Sequence, residues 1–407
     1  MPTALDVPWS CYQRLPAQKP ATPLQVRVPC PFCGGGDAGG ELLRLDDFQC
    51  FEDRDGCNRI THRVVFCKQC GQVHTDPWLT RDAARGLLAK AGASYGHCDP
   101  EERVAWVLSR VPGVRSVLDL GCGDGSLLGG FPPSLDRYGI DSDAHLVSIA
   151  LKTHKKITFR HHDLEDAFEI PQADVIMLFH LLEHVTDPRN LLTRIRQAAA
   201  ETTRLVVEVP ILDRAIETQG PDLCGFFSIP HRTHFSRHTL DRMLSHCGWQ
   251  VEQRTDLAGN GYRVLARRAE PVRQVAEPVQ VERERRLALE YAEYRRNSIA
   301  AVCEILQDLP ERCNIMIWGA GHHTEFLAAL TPLFTPQRRF VIVDRDPLKT
   351  GMRIHGIPVL TPDAVPAEYW REGEDRILIS SYTWQHSIYQ GLVAKGTAPC
   401  RIFRLYP

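Results

Sequence analysis

Over residues 116–128 the chain reads SVLDLGCGDGSLL, an apolar strand-forming segment that runs into alternating glycines and then into residues able to open a helix. Few folds accept that order. A buried strand that hands over to a helix through such a turn brings backbone amides to the surface, and glycine lets a ligand approach them without Cβ obstruction. A second strand ends at Gly139-Ile140-Asp141, about twenty residues after Asp119, where a carboxylate can accept both hydroxyls of a ribose. Further apolar strand-like stretches at 157–160, 174–178 and 204–209 alternate with amphipathic segments. That alternation predicts a doubly wound α/β sheet over residues 100–268. Residues 174–185 read as its fourth strand running into a helix.

At 407 residues the chain exceeds one ordinary core, since single cores stop growing at roughly 250–300 residues, so several domains are expected. Hydrophobic content of 43%, charged content of 24% and a formal charge of -2 lack the basic excess that gives non-specific affinity for nucleic acid. The N-terminal segment shows no leader-like pattern, and no window holds about 18 uninterrupted apolar residues. A cytoplasmic protein with no membrane partner is the expectation.

The 14 cysteines include two tight pairs, Cys30-Pro-Phe-Cys33 and Cys67-Lys-Gln-Cys70, each followed by glycine. Two such pairs present four thiolates to one ion, and Cys30, Cys33, Cys67 and Cys70 predict a closed tetrahedral Zn2+ site of structural type within a unit spanning 22–80. Cys50, Cys57 and His74 are left open as extra ligands or as plain buried or free residues. The gap between the pairs implies an inserted loop over 36–60, and alternation at 61–66 suits a small hairpin. Residues 1–21 read as a loose arm.

Residues 270–281 have a linker composition and precede a charged, helix-favouring stretch at 282–308, whose apolar positions keep no strict heptad and so predict packing within the chain. A second α/β alternation follows, with strands at 314–318, 339–344 and 376–380. Asn314-Ile-Met-Ile-Trp-Gly-Ala-Gly321 is again a strand into a glycine turn, and Phe340-Val-Ile-Val-Asp344 again a strand ending in an acid. Residues 282–407 are therefore expected to form the connecting helix plus a C-terminal Rossmann-like domain.

The segments VLDLGCGDG, GID, HHDLED and ADVIMLFHLLEHV resemble the successive motifs of class I S-adenosylmethionine-dependent methyltransferases. The resemblance implies that Asp119, Gly121, Gly123, Asp141 and Asp163 line the cofactor pocket, with the backbone at Leu164 facing adenine and His180 near the methionine end. Ser126 stands where a dinucleotide fingerprint would place its third glycine, which favours S-adenosylmethionine over NAD.

The order of cysteine unit, methyltransferase core and a unit reading WGAGHHT, VDRDPLKTG and HGIPVL resembles the nucleotide-sugar C-methyltransferase family over nearly the whole chain. That family removes a proton alpha to a keto group with a histidine supported by a tyrosine and a glutamate. The segment FFSIPHRTHFS at 226–236 puts His231 at the histidine position, while Ser228 and Pro230 stand where the tyrosine and glutamate would be. The same edge also resembles many O-methyltransferases, for which His231 or His234 would need only to take a hydroxyl proton. Tyr95 matches an aromatic residue that the family places over the active site.

The resulting expectation is methyl transfer to a carbon or oxygen of a nucleotide-linked sugar or related saccharide. Methylation of RNA, or of a small-molecule hydroxyl in secondary metabolism, are the alternative activities. A binding protein that keeps the fold without turnover is the alternative of another class. The oligomeric state is left open.

Overall fold

The strand Ser116–Leu120 lies in the interior of a seven-stranded sheet whose order across the layer is 249–256, 262–268, 204–209, 175–179, 116–120, 136–141, 158–161. The structure is a computed structural model describing residues 7–13, 23–36, 38–53, 56–84, 100–257, 261–273 and 276–407. Strands 204–209 through 158–161 run parallel, and 262–268 is antiparallel to its neighbour. Parallel strands buried on both faces should be apolar almost throughout. Val117, Leu118, Leu120 and the whole of Val175–Phe179 obey this. Val117, Val175 and Met177 pack with Val104, Val107, Leu128 and Val147 on one face. Leu118, Leu120, Ile176 and Leu178 pack with Leu191, Ile195, Leu240 and Leu244 on the other.

Chain order reverses on either side of Ser116–Leu120, so the crevice at its carboxyl end is where a ligand fits a sheet of this kind. The flanking helices begin at local signals. Asp143 accepts from His145 N and Leu146 N, Asp187 accepts from Asn190 N ahead of Pro188, and Ser236 forms a capping box with Thr239.

The sequence reading needs correction at several places. After Val175–Phe179 the chain does not enter a helix: His180 takes a left-handed φ of 50°, turns follow, and the helix starts at Pro188. The strands Trp249–Asp256 and Tyr262–Arg268 were not anticipated, because the first lies at the sheet edge and shows mainly polar side chains to solvent.

The region 36–60 is not a loop but most of a long hairpin, Ala38–Asp53 with Gly56–Cys67, whose repeated register shifts hide the two-residue period. The arm is docked in its described part. Ser10–Cys11 pairs with Phe340 and Arg339, and Val7 is buried with Trp318 and Tyr369. Glu277 and Pro278 start the long helix, which runs Pro278–Gln307 and buries Ala288, Tyr291, Ala292, Val302 and Leu306 within the chain.

A second sheet joins three distant parts of the sequence. The parallel strands 357–360, 339–343, 314–318, 376–379 and 402–403 form a Rossmann-like half, and the hairpin continues this sheet through Arg353 opposite Glu52. On the far side of the hairpin, Val73–Thr75 pairs with Thr233–His234, which lies in sequence within the methyltransferase-like core, between its strands 204–209 and 249–256. The cysteine segment therefore shares its sheet with the C-terminal unit. Among the described residues, no helix is long and apolar enough to cross a membrane.

Phe48 carries the hairpin into the C-terminal core, 1% exposed with its ring 5.1 Å from that of Phe326. Phe48→Ala is expected to cost about 3–5 kcal/mol and to lower the urea midpoint, followed by tryptophan fluorescence. An unchanged midpoint would contradict this packing.

Candidate active site and cysteine centre

The glycine turn sits at the carboxyl end of Ser116–Leu120. Gly121 and Gly125 both have φ of 80°, and a Cβ at Gly125 would stand 2.5 Å from Phe159 Cζ. Asp141 ties the turn to the second strand: its carboxylate accepts from Gly123 N and Asp143 N, both at 2.8 Å. Two amides leave lone pairs on a carboxylate with about four acceptor positions, so ribose hydroxyls can still be accepted. Burial raises the Asp141 pKa, and the two amides oppose that rise.

Asp119 is 3% exposed and its Oδ1 has no hydrogen-bond partner. Burial pushes its carboxyl up to about 8, the charge of Arg103 opposing and that of Asp141 reinforcing the rise. The other expected cofactor residues divide. The side chain of Leu164 lies in the core, leaving only its backbone for a ligand. Asp163 is paired with Arg81 at 3.1 Å, a partner from beyond the cysteine unit.

His180 lies between two buried carboxylates, 3.3 Å from Glu183 and 3.1 Å from Glu208. Glu208 also receives Arg103 and Arg263, each at 2.6 Å. Burial alone would raise Glu208, but the hydrogen bond and charge of His180 together with both guanidinium groups hold it at about 2. The sequence reading missed Glu208, Arg103 and Arg263, which lie on three elements remote from one another in sequence.

Beyond His180, Glu183, His184 and His231 converge, with one ligand atom of each within 4.8 Å of the others. His231 Nδ1 is buried without a hydrogen-bond partner, and its ring lies 4.9 Å from that of His184. Burial, and then the neighbouring histidines, hold His231 well below the usual imidazole range. His234 is set apart, its ring packed against Phe226 and Phe227 and its Nε2 3.3 Å from Thr75 Oγ1. Ser228 and Pro230 contribute carbonyls, to His231 N and His184 Nδ1 respectively. A carboxylate reaches this place nonetheless, from Glu183. Its position in HLLEHV was visible in the sequence and was lost by reading that segment as helix. Tyr95 lies outside the described residues.

The four cysteines of the two knuckles come together. In each knuckle the first cysteine N–H donates to the carbonyl five residues on, and its own carbonyl accepts from the glycine four residues on. Cys30 and Cys70 Sγ are 3.5 Å apart, as are Cys33 and Cys67 Sγ. A tetrahedron with metal–sulfur bonds of about 2.3 Å has edges of roughly 3.8 Å, so the donor set fits Zn2+. The buried Arg232 and Arg242 lie beside it, donating to Pro29 O and Cys70 O, where their charge offsets that of four thiolates. His74 stands outside this four-sulfur group with its Nδ1 on Gln72 O, and the side chains of Cys50 and Cys57 lie outside the described residues.

Asp119 generates a pH prediction for the cofactor-free protein. Its pKa is raised from 3.8 to about 8, so between those values the native state holds a proton that the unfolded chain has lost. Stability therefore falls as pH rises through this window, by up to about 1.4 kcal/mol per pH unit. Asp119→Asn should lack this contribution, so urea midpoints of parent and variant at pH 5 to 8 should shift steadily in the variant's favour. A gap independent of pH would contradict the assignment.

Residues 87–254 match the protein family described as "Methyltransferase domain". No curated protein matches the chain. Among solved structures, it is similar to an S-adenosylmethionine-dependent methyltransferase from Clostridium acetobutylicum ATCC 824, at 9% identity and a TM-score of 0.37 over 46% of this chain and 97% of that one. It is similar to the mitomycin 7-O-methyltransferase MmcR at 23% identity and a TM-score of 0.34, over 45% of this chain and 54% of that one. A third is magnesium protoporphyrin IX methyltransferase from Synechocystis PCC 6803, at 17% identity and a TM-score of 0.35 over 46% and 96% of the two chains. With the strand order, the glycine turn and Asp141 in place, the family match gives residues 87–254 of the chain a methyltransferase domain.

Proposed function

We propose that this methyltransferase acts on a carbon or oxygen of a nucleotide-linked sugar, with His231 taking the proton that leaves the acceptor. The observation that carries the reading is the position of His231. It lies between the turn that follows Val175–Phe179 and the Thr233–His234 strand, which ties the methyltransferase core to the sheet shared by the hairpin and the C-terminal unit.

A second nucleotide-sized turn supports it. Asp344 accepts from Ala320 N at 2.7 Å and from Asp346 N at 2.9 Å, as Asp141 does at the first turn. Rossmann-like turns of this kind suit a phosphorylated nucleotide.

S-adenosylmethionine, when bound, supplies the electrophilic methyl. Asp141 would hold its ribose, and Asp119, ionised by a cationic neighbour, would lie on the methionine side with His180. His231, kept neutral by burial, is able to accept a proton from a hydroxyl or a carbon acid. Methyl transfer of this type depends chiefly on alignment.

The test is thermal shift with S-adenosylhomocysteine, followed in its presence by nucleoside-diphosphate sugars. A shift with the cofactor product and a further shift with one sugar nucleotide are expected; a cofactor shift with no sugar response would sink the substrate class. His231→Ala should retain the cofactor shift and lose roughly 10²–10⁴-fold in kcat on the responding sugar.

The cysteine centre is proposed to hold one structural Zn2+, in a compartment reducing enough to keep four thiols free. Four sulfur ligands leave no open position for chemistry. Cys67→Ser is expected to lose one equivalent of zinc by elemental analysis and to unfold at lower temperature, whereas retention of that equivalent would remove the assignment.

A further inference from the structure

Glu183 is 1% exposed, and its Oε2 has no hydrogen-bond partner. Among the described residues, its ion-pair partners are His180 at 3.3 Å and His184 at 3.9 Å. The neighbouring buried Glu208, by contrast, has Arg103 and Arg263. A buried carboxylate whose second oxygen is unbonded, and whose ion-pair partners are imidazoles with no arginine or lysine among them, is costly unless something positive completes it.

His184 points to what that is. Its Nδ1 lies 2.9 Å from Pro230 O. A carbonyl oxygen only accepts, so the ring hydrogen is on Nδ1, and in the neutral ring Nε2 carries a lone pair. That nitrogen is the one turned toward Glu183 Oε1. In that neutral form two electron-rich atoms would face each other, and a cation between them would satisfy both. A histidine whose Nδ1–H is held by a backbone carbonyl while Nε2 faces a carboxylate is oriented as metal-ligating histidines are.

His231 supplies the third group, with a ring edge-on to His184 at 73° and a buried Nδ1 lacking a partner. The three ligand atoms lie within 4.8 Å of one another. An ion with bonds of roughly 2.0–2.2 Å fits such a cage after small side-chain rotations.

We propose that Glu183, His184 and His231 bind a divalent cation on the acceptor side of the methyltransferase site. Two imidazoles and one carboxylate suit a borderline ion such as Mn2+, Fe2+ or Zn2+. The site lies next to the cofactor turn, since Leu181 is the side chain that a Cβ at Gly121 would meet, at 3.2 Å. The inference rests on reading this pocket as the acceptor side, and it changes the part played by His231. A nitrogen bound to a metal cannot also take a proton, so the cation would orient an acceptor hydroxyl and raise its acidity itself.

The test uses the full chain with its cysteine centre loaded with zinc, because Mn2+ competes poorly for thiolates. Mn2+ is added and the free ion is followed by electron paramagnetic resonance. One Mn2+ should bind per chain, with imidazole nitrogen coupling in the electron spin echo of the bound ion. Glu183→Gln and His231→Asn should each weaken binding about tenfold or more while keeping the thermal shift with S-adenosylhomocysteine. Absence of binding at millimolar Mn2+, bound ion without nitrogen coupling, or unchanged affinity in both variants would each overturn the proposal. Should a variant fail to fold, the nitrogen coupling in the parent protein decides. Mn2+ binding without any sugar response supports the cation site and removes only the substrate class. A sugar response without Mn2+ binding removes the cation site and leaves His231 as proton acceptor.

Discussion

Glu208 is the residue around which the charged cluster of the methyltransferase-like core is built. It lies on the fifth parallel strand of the core and is 2% exposed, so its charge must be compensated on the spot. Arg103 comes from the helix Pro100–Arg110, Arg263 from the antiparallel strand Tyr262–Arg268, and His180 from the bend after Val175–Phe179. Arg103 and Arg263 also lie over the Phe179 ring, at 4.6 and 5.5 Å, so the charged cluster is packed as well as paired. Removing one partner would leave a buried charge uncompensated, which ties four elements to one geometry.

That geometry has a consequence for the neighbouring carboxylate. Both arginines are directed to Glu208, and Glu183 is left with histidines. The same bend at His180, with its φ of 50°, brings Glu183 and His184 to face the 226–236 segment instead of continuing as a helix. A left-handed conformation at a non-glycine residue needs surrounding contacts to hold it, and here two carboxylates grip the imidazole. The arrangement of Glu183, His184 and His231 thus follows from the balance of charge around Glu208.

The hairpin has an equivalent role at larger scale. Its outer strand takes Thr233–His234 through Val73–Thr75, and its other end takes the C-terminal sheet at Arg353. The cysteine knuckles sit at the root of this hairpin, with Arg232 reaching Pro29 O and Thr75 O from the segment that also carries His231. A metal closing the four sulfurs would therefore steady the segment that carries His231.

Local signals were legible in the sequence alone. The glycine turn, Asp119 and Asp141 could be located there because a strand, a turn that needs left-handed φ, and an acid at the end of the next strand follow one another within a short stretch. The two C-x-x-C pairs were legible because each knuckle closes on its own backbone hydrogen bonds. Tertiary structure alone decided the rest. It decided that 36–60 is a hairpin, that the arm pairs with the C-terminal sheet, that the segment after the fourth strand bends, and that Glu183 meets His184 and His231. Those outcomes depend on groups far apart in sequence neutralising or pairing with one another, and buried charge and open strand edges are satisfied by whatever the fold brings close, which no local pattern encodes.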